Sequence, residues 1–122
     1  MAKKKKPTIL PEGINRDELA RVPVPVIIYC IITRTTGSLV DLCSKSRNRN
    51  ILESQQLLCY FVSVKNWAWR YTGDLIGKDH ATAMYHKRMI ENRIFTEKSY
   101  DLFVHDLAIN MILLNNRKSN HE

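Results

Sequence analysis

Apolar residues recur along the chain at intervals of three and four, the spacing that places side chains on one face of an α-helix. In residues 52–64 the stripe consists of Leu57, Tyr60, Phe61 and Val64, widened by Leu58 and Val62. No stretch alternates apolar and polar residues for long enough to predict a strand. The pattern therefore predicts an all-α fold, a small bundle of about five to six helices with residues 52–64 as its central core helix.

The segment before this helix is less clearly patterned. Pro23 and Pro25 lie at the start of residues 24–35, and the first turn of a helix tolerates proline. The Val and Ile content of these residues also allows an extended stretch. Gly37 then breaks the chain, and Ser38 is predicted to cap a short helix over residues 39–43. Residues 44–50 are predicted to form a loop.

After a turn at residues 66–68, a brief helix through Trp69, Tyr71, Leu75 and Ile76 is predicted to end at Gly77, which suits a left-handed C-terminal position. Asp79 is predicted to cap the next helix, which runs to about Asn92. Its apolar face contains Ala81, Ala83, Met84, Met89 and Ile90 but is interrupted by His86, Lys87 and Arg88. This interruption indicates a polar contact.

The last helix is predicted over residues 97–114, capped by Thr96, with Tyr100, Phe103, Leu107, Met111 and Leu114 on one stripe. Leu102, Ile109 and Leu113 fall outside that stripe. They either pack on the domain, which is favoured because long exposed apolar faces are uncommon on monomers, or form a weak homodimer or partner contact. The predicted organisation is a basic, flexible tail over residues 1–22, one domain over residues 23–114 and a frayed tail over residues 115–122.

Composition adds a broad class to this pattern. The chain has 122 residues, of which 44% are hydrophobic and 25% charged, as in a single folded domain. The longest apolar run has nine residues and contains Pro25, so we expect no transmembrane helix and no membrane partner. Lys3–Lys6 resemble the start of a signal peptide, but Pro7 and a charged stretch follow, so we expect no secretion. Three cysteines without CxxC spacing favour a reduced, cytoplasmic setting.

The net charge is +7, and it is unevenly distributed. Residues 1–50 hold ten positive and four negative side chains, whereas residues 96–122 hold three positive and four negative. An excess of this kind neutralises phosphates in nucleic-acid-binding proteins, although it fits a solvated surface or an anionic membrane equally well.

Three motifs in order suggest a family. Residues 72–84 read TGDLIGKDHATAM, residues 44–49 read SKSRNR and residues 53–61 read ESQQLLCYF. Together they resemble the signature of the C-terminal DNA-binding domain of the bacterial replication initiator DnaA, with its Asp-His-Thr-Thr-Val helix, its basic Ser-Lys-x-Arg-x-Arg loop and its Glu-Ala-Arg-Gln-Ile-Ala-Met-Tyr-Phe helix. The resemblance spans about residues 24–92.

The resemblance implies a trp-repressor-like helix-turn-helix that binds double-stranded DNA at short boxes. It places Lys78, Asp79, His80, Ala81 and Thr82 in the major groove, Arg47 in the minor groove, and Lys45, Arg49, Gln55 and Gln56 on phosphates. These side chains have the hydrogen-bonding groups for such roles. Ala81 stands where the family has threonine, so the preferred box is expected to differ.

Each residue also has a plainer interpretation. Asp79 is explained as a helix cap alone, His80 as a surface histidine, and the basic loop as a solvated turn. Trp67 and Trp69 are predicted to pack in the core or at its rim, with stacking on a nucleobase as the alternative.

Catalytic motifs are missing from the sequence. The histidines do not form HExxH, no serine lies in GxSxG, and the four glycines do not form a GxxxxGK[ST] phosphate loop. We therefore expect no enzymatic activity, no metal and no nucleotide cofactor. The predicted function is sequence-specific DNA binding by a nucleoid-associated replication accessory or origin-binding factor without ATPase activity. The alternatives are a transcriptional regulator with the same domain and a structural or interaction protein that keeps the fold without reading bases.

Overall fold

The computed structural model describes residues 8–35 and 49–120, and within them the backbone forms six helices and no strand. The predicted all-α class is therefore confirmed. The helices are α1 (Arg16–Ala20), α2 (Val24–Arg34), α3 (Arg49–Ser63), α4 (Trp69–Ile76), α5 (His80–Thr96) and α6 (Lys98–Asn120).

Helix α3 is the centre of the bundle, as its apolar stripe predicts. All six residues of the predicted stripe are buried, and so are the polar Ser54 and Ser63. Helices α2, α4 and α5 all pack on α3, and α5 has its most extensive contact with it. Helix α6 packs on α2 and α5. The α4–α5 pair and the α2–α6 pair therefore meet through the contact between α5 and α6.

The prediction of a flexible tail through residue 22 is wrong for residues 8–22. Hydrogen bonds hold residues 8–10 to the bundle. Thr8 Oγ1 lies 2.7 Å from Ser63 Oγ, and the Ile9 amide donates to Glu91 Oε2 at 2.8 Å. The Tyr60 hydroxyl donates to the Ile9 carbonyl at 2.5 Å. Helix α1 follows, with Leu19 in the core. Sequence propensity misses this segment because tertiary hydrogen bonds and one or two apolar anchors order it.

Of the two alternatives for residues 24–35, the structure shows the helix. Pro25 lies in the first turn of α2, where its missing amide proton breaks no helical bond. The predicted helix over residues 39–43 and most of the predicted loop over residues 44–50 lie outside the described residues, and Arg49 and Asn50 begin α3.

The boundary between α5 and α6 differs from the prediction. Thr96 is the last residue of α5 and its hydroxyl donates to the Asn92 carbonyl, so it does not cap α6. Glu97 separates the two helices and its carbonyl accepts from the amides of Tyr100 and Asp101. Helix α6 also continues to Asn120, which corrects the prediction of fraying from residue 115, because neither glycine nor proline interrupts this stretch.

Two residues left outside the predicted α6 stripe are solvent-facing. Leu102 and Leu113 are each 56% exposed, so the expectation that they pack on the domain is wrong for both. The predicted stripe of α6 does face the core: Tyr100, Leu107 and Met111 are buried, and Phe103 and Leu114 pack against them in part. Val104, Ala108 and Ile112 complete the buried face. Among the described residues, no helix has the length and apolar character needed to cross a membrane.

Candidate functional site

The connection between α4 and α5 is a tight turn of three residues, Gly77, Lys78 and Asp79. Gly77 has φ 68°, the left-handed conformation predicted for it. The Gly77 amide donates to the Asp74 carbonyl at 3.3 Å and the Lys78 amide donates to the Gly73 carbonyl at 2.9 Å. These two bonds form a Schellman motif, which satisfies the last carbonyls of α4 and directs the chain sharply into α5.

Gly73 allows α4 to pack directly against this turn. A Cβ atom at this position would lie 2.6 Å from the Lys78 carbonyl oxygen and 3.0 Å from the Asp79 carbonyl carbon and oxygen. Because all three are backbone atoms, no side-chain rotation would relieve the overlap. The glycine in the sequence therefore fixes a close approach between α4 and the start of α5.

Asp79 caps α5 as predicted. Its Oδ1 accepts from the Thr82 amide at 2.9 Å, and hydrogen bonds from Thr82 hold the pKa of the exposed carboxyl below its usual value. The plain interpretation of Asp79 as a helix cap is therefore correct. A carboxylate has acceptor capacity beyond one such bond, so capping leaves it able to accept from a further donor.

The N-terminal half of α5 presents one face to solvent. His80, Ala81, Met84, Tyr85 and Arg88 are exposed at a spacing of three and four, while Ala83, His86 and Ile90 are buried on the opposite side. The sequence pattern predicted Ala81 and Met84 on the apolar face of α5, whereas both are exposed. Met84, Tyr85 and Arg88 were not among the predicted site residues. Their spacing was the available signal, because Tyr85 and Arg88 lie one turn and two turns from Ala81 on the same side of the helix.

The buried face of α5 is partly polar. Burial, joined by the charge of Lys78, lowers the pKa of the His86 imidazole. Lys87 forms an ion pair with Glu91 at 3.2 Å and lies 6.0 Å from the ring centre of the half-buried Trp69 in α4. These contacts explain why charged residues interrupt the apolar pattern of α5.

Arg93 ties the second half of α5 to two neighbouring helices. Its guanidinium forms ion pairs with Glu53 of α3 at 3.0 Å and with Glu97 at 3.1 Å, and it lies 3.5 Å from the ring centre of Tyr100 in α6. Such multiple contacts fix the orientation of α5 relative to the bundle.

Gln55 and Gln56 do not occupy the surface that a phosphate contact requires. Gln55 is 2% exposed and Gln56 is 8% exposed in α3, so the prediction that they contact phosphates is wrong. The buried face of α3 therefore includes polar residues and is wider than its apolar stripe. Lys45 and Arg47 lie outside the described residues, and Arg49 is described only as the first residue of α3.

The two tryptophans occupy different environments. Trp69 packs against the core, as predicted. Trp67 is 41% exposed and pairs with the exposed Tyr71 at a ring distance of 5.9 Å, with the Lys65 ammonium 5.4 Å from the Trp67 ring centre. Trp67 therefore lies at the rim, which is one of the predicted alternatives.

Cys30 and Cys59 are buried and unbridged. Burial raises the pKa of the Cys59 thiol to about 12, so at neutral pH this side chain is a small apolar group. In the described part of the chain, no group of three or more His, Cys, Asp or Glu side chains is arranged to hold a metal ion.

The fold and site together define a small all-α protein with a solvent-facing helix that follows a tight, glycine-dependent turn. No family model matches the chain, and searches of the curated proteins and of the solved structures each return no match. The resemblance to the DnaA domain stays a prediction.

Proposed function

We propose that this chain binds double-stranded DNA sequence-specifically, with α4 and α5 as a helix-turn-helix and the N-terminal half of α5 in the major groove. In this proposal it acts at a replication origin or as a replication accessory factor, without ATPase activity and in association with the nucleoid. The replication role rests on the resemblance to the DnaA domain.

The observation that carries the proposal is the exposed face of α5. Its side chains match the chemistry of base edges: Arg88 donates two hydrogen bonds, which suits guanine, and Ala81 and Met84 offer apolar contact to a thymine methyl group. His80 both donates and accepts. Met84 and Tyr85, which are 36% and 56% exposed, add apolar surface to this face.

The turn supports this role mechanically. Recognition helices read bases with their first turns, so the position of those turns relative to the preceding helix must be fixed. Gly73 and the Schellman motif at Gly77 supply that constraint. Asp79 caps the helix and has acceptor capacity left for a cytosine amino group.

The proposed backbone and minor-groove contacts come from basic residues between Lys45 and Arg49, the first residue of α3. Arg47 is proposed for the minor groove and Lys45 and Arg49 for phosphates, while Lys78 lies at the start of the exposed helix. Gln55 and Gln56 are removed from this set because they are buried. The net charge of +7 supports association with a polyanion.

The contact face is tested by nuclear magnetic resonance of ¹⁵N-labelled protein titrated with a short random-sequence duplex at low salt. We expect the largest amide shifts at residues 78–88 and small shifts in α2. Arg88→Ala is expected to weaken binding more than Arg21→Ala, which removes an exposed arginine between α1 and α2.

Two results would contradict the proposal. One is an absence of binding at low salt, which would favour the interaction-protein alternative. The other is a set of shifts that leaves residues 78–88 unchanged, or equal losses for Arg88→Ala and Arg21→Ala.

A further inference from the structure

A groove lies between α2 and α6. It encloses about 290 Å³, and Tyr29, Leu107, Leu113 and Leu114 supply most of its apolar lining. Tyr29 is 61% exposed and Leu113 is 56% exposed, so large apolar side chains face solvent on both sides. Exposed apolar surface concentrated in a concave feature is typical of a protein-binding site.

The groove continues along α2. A second cavity of about 310 Å³ is lined by Pro25, Val26, Tyr29 and Leu114, so Tyr29 and Leu114 belong to both. The joined groove follows α2 from Pro25 to Arg34, a distance of about 13 Å at the rise of an α-helix. That length accommodates between two and three turns of a bound helix.

Two arginines give the groove a positive charge. Arg34 and Arg117 both line it and are exposed. Neither forms an ion pair with another residue in the described parts of the chain. Burial raises the pKa of the Cys30 thiol on the groove wall, and the nearby charge of Arg34 opposes this rise.

The groove is separate from the surface assigned to DNA. None of its lining residues belongs to α4 or α5. Helix α6, which forms one wall of the groove, also packs on α5, so the groove and the exposed face of α5 are distinguished by their residues.

We propose that the α2–α6 groove binds an acidic amphipathic helix of a partner protein. The apolar stripe of that helix lies on Tyr29, Leu113 and Leu114, and its acidic residues meet Arg34 and Arg117. Helix-in-groove recognition of this kind depends on apolar anchors at i, i+3, i+4 and i+7, with charge at the rim setting orientation. The proposal does not depend on DNA binding.

The test is selection from a displayed library of random peptides of about 16 residues, a length that spans the groove with a turn to spare at each end. We expect enriched peptides to combine Leu, Ile or Phe at helical spacing with Asp or Glu next to that apolar stripe. In fluorescence anisotropy, the double variant Arg34→Gln/Arg117→Gln and the single variant Leu113→Ser are each expected to bind a selected peptide about tenfold more weakly.

The matched control is Arg21→Gln/Arg70→Gln, which removes two exposed arginines outside the groove and should retain affinity. All substituted side chains are exposed, and an unchanged unfolding midpoint verifies the fold. Enrichment of peptides without acidic residues, or equal affinity for the groove and control variants, would overturn the proposal. So would concentration-dependent dimerisation abolished by Leu113→Ser, or binding to anionic lipid vesicles that requires Arg34 and Arg117 in place of peptide binding.

Discussion

Gly73 sets how closely α4 approaches the start of α5, since the atoms that a Cβ at this position would meet belong to the backbone of Lys78 and Asp79. The contact favours glycine at this position, which is the opposite of what helix propensity favours. Alanine normally stabilises a helical position relative to glycine by about 1 kcal/mol. At Gly73 the close backbone contact reverses that preference.

We expect Gly73→Ala to destabilise the fold by about 1 to 3 kcal/mol, the usual range for overpacking. Asp74→Ala is the control, because it changes the neighbouring, exposed residue of α4. Urea unfolding monitored by tryptophan fluorescence measures both variants. Equal or greater stability of Gly73→Ala would show that the turn does not require the close approach.

His86 is the residue whose protonation the fold opposes. Burial and the charge of Lys78 lower its pKa in the folded protein, whereas the unfolded chain has a value near about 6.5. The unfolded state therefore binds more protons as the pH falls through that value, and stability is lost on the acid side. Asp79, whose pKa is also lowered, has an effect confined to pH values below about 4.

We expect the unfolding temperature of the wild-type chain to fall between pH 7.5 and pH 5.5, and this dependence to be smaller in His86→Gln. His105→Gln, a change on the half-exposed surface of α6, is the matched histidine variant measured in the same way. The comparison uses slopes, so a general loss of stability in His86→Gln does not obscure it. Identical slopes in wild type and His86→Gln would exclude His86 as the source.

At the scale of elements, residues 8–10 connect the N-terminal part of the chain to α3 and α5 through hydrogen bonds from Tyr60 and to Glu91. Burial raises the pKa of the Tyr60 hydroxyl well above its usual value, so this group stays a neutral donor. A net hydrogen bond of this type contributes about 1 kcal/mol.

Tyr60→Phe is therefore expected to destabilise the protein by about 1 to 2 kcal/mol, because it also leaves a carbonyl without its donor. Tyr29→Phe, at an exposed tyrosine, is expected to change stability by less than about 0.5 kcal/mol. Chemical denaturation curves provide both values. If the two variants lose the same amount, the attachment of residues 8–10 does not contribute to stability.

The elements show how far sequence reasoning extends. Periodicity predicted most of α3 to α6, and capping signals predicted the left-handed Gly77 and the Asp79 cap, because those signals are local. Residues 24–35 were left open between a helix and an extended stretch, and Thr96 was wrongly predicted to cap α6. Helix α1 and residues 8–10 were missed, since distant partners hold them. The candidate site was predicted in part: Gln55 and Gln56 were misplaced because an amide can be buried in a core, and Tyr85 and Arg88 were missed because their exposure depends on how α5 is rotated against α3.

At the scale of the whole molecule, the two exposed features are formed by different residues. The exposed face of α5 follows the α4–α5 turn, and the groove is lined by residues of α2 and α6. In the two proposals together, DNA and a protein partner use different residues of one small chain. The positive charge adds a long-range attraction that depends on salt and not on base sequence.

Replacing Lys3, Lys4, Lys5 and Lys6 with Gln is expected to weaken binding to all duplexes about equally. Each lysine that contacts a phosphate contributes about 0.9 to the slope of log affinity against log salt, so the slope should become shallower by at most about 4. Fluorescence anisotropy over a salt series, with a preferred and a scrambled duplex, measures both effects. A change in the ratio of the two affinities would mean that the lysines take part in sequence reading.

The most direct test of base reading by α5 is selection of bound sequences from a random duplex pool at near-physiological salt. The proteins compared are wild type, His80→Ala and the control His105→Ala. We predict a short enriched motif for wild type and His105→Ala that His80→Ala fails to select. Its similarity to the DnaA box would measure how far Ala81 has changed specificity. No enrichment by wild type, or the same motif from His80→Ala, would contradict the proposed role of α5.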